Sequence, residues 1–228
     1  MELNFRNLKE KYSDALSIAR ERLPSLDVED ICRRAAAENI DAGKLRLRFL
    51  NRNYIINYPA TRVGFCHSER SEESQYEILR DAQDDCDETM DPELDILLLH
   101  YLIDSKDVPL SGELVSYHQL KDGPVFYGAF RNIAEKPIIE RFGNDPESFK
   151  KACLSLGGKA LQYRDVSFEL LPFPRISITY ILGVADEELP ATCSVLFDSS
   201  AIFQLHIEDL AVLGEVVSHE IIRMTEAG

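Results

Sequence analysis

Apolar positions recur every three or four residues over 3–22, with Phe5, Leu8, Tyr12, Leu16 and Ala19 on one stripe. That spacing predicts an amphipathic helix ending near Pro24. A second short helix begins at Asp27, with Ile31, Cys32, Ala35 and Ala36 following, and Gly43 breaks the pattern. The period then changes to two. In KLRLRFL (44–50) Leu45, Leu47 and Phe49 alternate with Lys44, Arg46 and Arg48. With a polar turn at Asn51-Arg52-Asn53 and the run YIINYP (54–59), this reads as a β-hairpin with one buried and one solvated face.

After residue 90 the pattern is apolar nearly all round. DPELDILLLHYLIDS (91–105) predicts a central core helix with Pro92 in its first turn and Asp91 as its cap. VPLSGELVSYHQL turns the chain into GPVFYGAFRNIAEKPIIERFG, expected as two helical pieces interrupted near Pro137. DPESFKKACLSLGG repeats the Asp-Pro-Glu helix start and stops at Gly157-Gly158. VSFELLPF (166–173), RISITYILG (175–183) and CSVLFD (193–198) are strands, and 207–224 is a closing helix with Leu210, Leu213, Val217 and Ile221 on one stripe. The expected fold class is α+β, a mostly antiparallel sheet of hairpins packed against several helices in a single domain. An N-terminal helical segment, 1–40, precedes that domain at 41–228.

One stretch interrupts it. Residues 65–91 carry ten acidic against two basic side chains, so they hold −8 of the chain's net charge of −15. A segment this acidic and this poor in apolar residues does not bury enough surface to offset its ordering entropy, and 65–90 is expected to be a disordered insertion. SERSEESQYEILRDAQDD (68–85) resembles translated copies of a dispersed inverted-repeat DNA element of bacterial genomes, in which SERSEES is followed after a short spacer by RDAQDD. That resemblance implies a genomic insertion between hairpin and core helix. The competing readings are a regulatory acidic lid or a metal site built from Cys66, His67 and Cys86. Those three side chains fall short of the ligand count of a structural zinc site.

Five scattered cysteines, with no C-x-x-C pair, suit a reducing compartment and supply no local metal or iron–sulfur cluster. The acidity argues against a nucleic-acid groove. No apolar run approaches the ~20 residues of a membrane span, and the polar start lacks a signal-peptide core, so the chain reads as cytoplasmic. Nucleophile-elbow, P-loop and H-E-x-x-H motifs are missing, which weighs against an enzyme.

With 65–88 set aside, the order HYLIDSKDVPLSGELVSYHQL, GPVFYGAFRNIAEKPIIERFG, FKKACLSLGG, LPFPRISITYILGVADEELPA, SVLFDSSA and EDLAVLGE resembles a known family over most of 40–220. This is the uncharacterised bacterial and archaeal family called domain of unknown function 3786. The resemblance implies a protein of anaerobes. Some relatives carry an N-terminal cysteine-rich segment similar to the iron–sulfur module of corrinoid proteins, whereas the first 60 residues here hold only Cys32. A link to corrinoid or one-carbon metabolism is thus an inference by association.

Against that background the side chains with chemical interest are few. His100 sits among leucines, either as a core histidine bonded to a backbone carbonyl or to Asp104, or as an axial ligand of a tetrapyrrole, haem or corrinoid. Tyr127 and Phe130 beside Gly128 would stack on such a ring, and Arg131, with Lys136 and Arg141, would pair with its propionate or phosphate groups. The plainer reading of the aromatics is core. His206 precedes Glu208 and Asp209 at a helix entrance, where the acids suit the helix dipole. Asp198-Ser199-Ser200 reads as a turn, and Asp186, Glu187 and Glu188 as solvated carboxylates in a hairpin loop. The expected function is a cofactor-binding or accessory protein of anaerobic metabolism that takes a tetrapyrrole. The alternative is a structural or protein-interaction module, which predicts an exposed apolar patch.

Overall fold

The computed structural model describes residues 5–41, 43–58, 60–65 and 91–225, with the side chains of 5–13 and 65 left aside. Apart from Phe65, which ends a strand, the expected insertion at 65–90 lies outside the described residues. The fold is α+β, and among the described residues its strands form two antiparallel sheets of four and five strands. The chain divides into two compact units, Met1–Ile103 and Asp104–Gly228.

In the first unit, helix α1 (Phe5–Arg22) runs into a short 3-10 turn, Leu23–Ser25, that holds Pro24 in its first positions. The Tyr58 hydroxyl donates to the carbonyls of Pro24 (3.2 Å) and Leu26 (2.7 Å) and so fixes the link to α2 (Val28–Ala35). Asp27 caps α2 by accepting from the Asp30 amide at 2.9 Å, and Ala36 ends it in the left-handed region at φ +50°. Strands β1 (Glu38–Asp41), β2 (Lys44–Phe49), β3 (Arg52–Asn57) and β4 (Arg62–Phe65) form a meander in chain order. Leu45 pairs with Ile56 and Leu47 with Tyr54, and these side chains are buried. The expected turn at 51–53 is corrected to Leu50-Asn51, because Phe49 already pairs with Arg52. Leu50 buries its side chain and takes φ +53°, which a two-residue loop requires if it is to follow the strand twist.

Helix α3 (Pro92–Asp104) is the core helix of this unit, capped as expected by Asp91, whose Oδ1 accepts from the amides of Glu93 (3.1 Å) and Leu94 (3.2 Å). Leu94, Leu97, Leu98 and Tyr101 are among its buried residues. The Tyr101 hydroxyl donates to the Ala35 carbonyl (3.1 Å) and Arg34 to the Ile103 carbonyl (3.2 Å). The N-terminal helices therefore share their unit with β1–β4 and α3.

In the second unit β5 (Leu114–Ser116), β6 (Lys159–Leu161), β7 (Val166–Phe173), β8 (Ile176–Gly183) and β9 (Thr192–Asp198) lie in the order β5-β9-β8-β7-β6. Phe168, Leu170, Ile178, Tyr180, Val195 and Phe197 are buried on alternating positions. The expected break near Pro137 is a one-turn widening of a continuous helix. Helix α4 (Gly123–Phe130) passes through a π turn, Arg131–Glu135, into α5 (Lys136–Phe142). Pro137 has no amide proton to give and its ring crowds the carbonyl four residues back, so the wider turn just before it relieves both problems.

Helix α6 (Pro146–Ser155) is capped by Asp145 and ends at Gly157, φ +79°, with the Gly158 amide closing on the Cys153 carbonyl at 2.8 Å. Its Phe149 meets Phe142 and Phe168 at ring-centroid distances of 5.4 and 6.1 Å. Helix α7 (Ile207–Arg223) buries Leu210, Leu213, Val217 and Ile221 as its stripe predicts. At Gly214 it passes so close to Phe130 that a Cβ there would lie 2.6 Å from Cε2 of that ring.

Candidate functional site at the π turn

A π turn carries one residue more than an α turn and redirects the side chains beyond it, and such turns recur at functional sites. Here the side chain redirected is Glu135. Strand β5 ends at Ser116, opposite Leu196, and the Val195 amide of β9 donates instead to Glu135 Oε1 at 3.4 Å. Its other oxygen, Oε2, accepts from Arg131 Nε at 3.2 Å. Glu135 is only 5 % exposed. Burial pushes its carboxyl above the usual carboxylate range, and the Val195 amide and Arg131 oppose that rise only in part.

Above this carboxylate is a surface groove of about 220 Å3 lined by Gly128, Arg131, Asn132, Glu135, Lys136 and Ile139. The Arg131 side chain is mostly exposed, with its guanidinium carbon 5.9 Å from the centroid of the Tyr127 ring. His118 meets the same ring edge-on at 5.5 Å. Lys136 lies 3.5 Å from Glu140, with both side chains well exposed.

Of the four residues expected to hold a cofactor, two meet here. Tyr127 and Arg131 share the outer side of the helix. Phe130 points the other way: it is 1 % exposed, stacked on Tyr117 at 4.3 Å between ring centroids and 6° between planes, and adjoins Phe197. It is a core ring and presents no face beside Tyr127. His100 belongs to the first unit, half-buried on α3. Glu135 and Asn132 were not singled out by residue pattern. The available signal was an acid two residues before a proline inside a helical run.

Helix α4 has a second unusual property. Val125 is 79 % and Phe126 40 % exposed, and Pro124, Gly128 and Ala129 are exposed beside them. The helix carries no charged residue, and its buried residues are Gly123 and Phe130.

Several other polar groups have structural partners. Asp198 is 2 % exposed and caps the 3-10 turn Ser199–Phe203. Its Oδ1 accepts from the amides of Ser111 (3.0 Å) and Ser200 (2.9 Å) and from their hydroxyls (2.8 and 2.6 Å), and Oδ2 accepts from the Gly112 amide (2.7 Å). Burial would raise its pKa, but these donors outweigh it and hold the carboxyl at about 2. Asp186 closes a turn by accepting from the amides of Glu188 and Leu189. His206, exposed, has Nε2 4.0 Å from Asp104 Oδ2. The Tyr180 hydroxyl pairs with that of Ser218 at 2.9 Å, and Ser218 donates to the Ala134 carbonyl inside the π turn at 2.8 Å. Cys153 and Cys193 are buried thiols pushed well above their ordinary range by that burial. Among the described residues no three His, Cys, Asp or Glu side chains are grouped to hold a metal ion, and no helix is long and apolar enough to cross a membrane.

A family model described as "Domain of unknown function (DUF3786)" matches residues 27–220, and the chain belongs to that family. No curated protein and no solved structure matches it.

Proposed function

We propose that this DUF3786 chain is an accessory protein whose helix α4 receives a protein partner. The observation that carries the reading is the outer face of α4. Pro124, Val125, Phe126 and Ala129 lie exposed on a helix without a charged residue. An isolated apolar side chain at a surface is ordinary, but a cluster along one helix is the signature of a contact surface. A photo-crosslinking residue at position 125, used in cells of the native host, tests it. The expected result is one dominant heterologous adduct that disappears when Phe126→Glu is added. Equal labelling with and without Phe126→Glu refutes it.

A second reading, a tetrapyrrole site for haem or a corrinoid in anaerobic metabolism, draws support from Arg131 lying over Tyr127 on the solvent side. Anaerobic absorption titrations with haem and with a corrinoid separate the two readings. A saturable spectral shift lost in Arg131→Gln would favour the cofactor, and no shift with either favours the partner surface.

A further inference from the structure

The structural task of Glu135 is to take up the Val195 amide where β5 has ended beside β9, and a glutamine would perform it without a charge. The groove therefore holds more than that task requires. Its floor is a buried carboxylate held by two hydrogen bonds near the long limit, 3.2 and 3.4 Å. Near it the Nη groups of Arg131 and the side-chain amide of Asn132 make no hydrogen bond among the described residues, since Arg131 engages Glu135 through Nε alone. Lys136 faces the same groove and has one loose pairing, with Glu140 at 3.5 Å.

We propose that the groove of the π turn binds a small oxyanion, a carboxylate or a phosphate, on Arg131, Asn132 and Lys136, and that Glu135 takes up a proton from solvent as the anion enters. The guanidinium presents two Nη groups in the planar fork that matches an oxyanion, and Lys136 adds a point charge one turn on. A volume of about 220 Å3 lies below the ~300–1,000 Å3 of sites for drug-sized ligands, so the ligand is small. An ionised Glu135 would repel it. Protonation removes that repulsion and ends the competition for Arg131, while the neutral acid still accepts from Val195. Besides the cations Arg131 and Lys136, Cys193 on β9 and Tyr180 on β8 feel this carboxylate, and both are held in their neutral forms by burial. Neither supplies a charge to replace the proton. The inference is independent of the α4 surface and goes beyond it.

Calorimetric titration of the full chain with sulfate, whose charge is constant, and with acetate tests it along a series from about pH 5 to about pH 8, running upward from the ordinary carboxyl range. Sulfate stands in for a phosphate and acetate for a carboxylate, and the tighter of the two names the source. The expected result is saturable binding about tenfold tighter at the low end of the series, the factor that one pKa step represents. Arg131→Gln should weaken binding throughout the series. Glu135→Gln should bind as tightly at the high end as at the low, a result that histidine titration elsewhere would not give. Undiminished binding by Arg131→Gln, persistent pH dependence in Glu135→Gln, or no saturable binding of either anion overturns the proposal.

Discussion

Asp198→Asn is the substitution whose effect on stability follows most directly from the structure. The native carboxylate gathers five donors from Ser111, Gly112 and Ser200, and its pKa sits at about 2 against an ordinary 3.8. At ~1.36 kcal/mol per pKa step that difference is worth roughly 2 kcal/mol of folding free energy when the group is ionised. A depressed carboxyl pKa contributes stability that is complete above the unfolded value, near 3.8, and is lost as pH falls through about 2. The asparagine would also turn its NH2 group, which cannot accept, toward one of the two donor sets, adding a part that does not vary with pH. Urea unfolding followed by far-ultraviolet circular dichroism should place the variant about 2–3 kcal/mol below the native chain near neutral pH. The gap should hold down to about pH 5 and narrow below about pH 4. A neutral-pH gap under about 0.5 kcal/mol, the scale of an ordinary surface change, would refute the reasoning, as would one that does not narrow in acid.

Two further substitutions probe the frame around the π turn. Gly214→Ala puts a methyl 2.6 Å from Cε2 of Phe130 and should cost about 1–3 kcal/mol by overpacking, with Phe130→Leu in the same chain recovering part of it. Pro137→Ala restores an amide donor and removes the ring, so the π turn should relax toward α geometry and draw Glu135 off Val195. Faster hydrogen exchange of the Val195 amide is the expected readout, and an unchanged rate would show that the proline does not set the turn.

The sequence was most legible where periodicity and caps agree. Asp27, Asp91 and Asp145 each cap the helix their position predicts, and Gly157-Gly158 closes α6. The long strands β7, β8 and β9 lie where their β-rich runs predict, with β7 and β8 buried on both faces. The strands β1, β4, β5 and β6 went unread because each is only three or four residues long and is held by its neighbour's edge more than by its own pattern. The hairpin turn was misplaced because a buried leucine at positive φ is a poor turn signal. At the candidate site Tyr127 and Arg131 were legible as a pair four residues apart on one helical face. Phe130 was not, since its neighbours Tyr117, Phe197 and Gly214 come from distant parts of the chain. Glu135 stayed hidden for a similar reason: its partner amide is 60 residues away in β9.

The strand order of the second sheet also constrains the way the protein is made. Residues 114–116 have no strand to pair with until 196–198 have been synthesised. A chain leaving the ribosome from its N-terminus therefore completes α4, the π turn, α5 and α6 while the future neighbour of β5 does not yet exist. Until then the amides of Ser111 and Gly112 wait without their carboxylate. Pairings so far apart in sequence form late and slowly. A ribosome stalled after β8 would hold a nearly complete set of helices beside a sheet that cannot close.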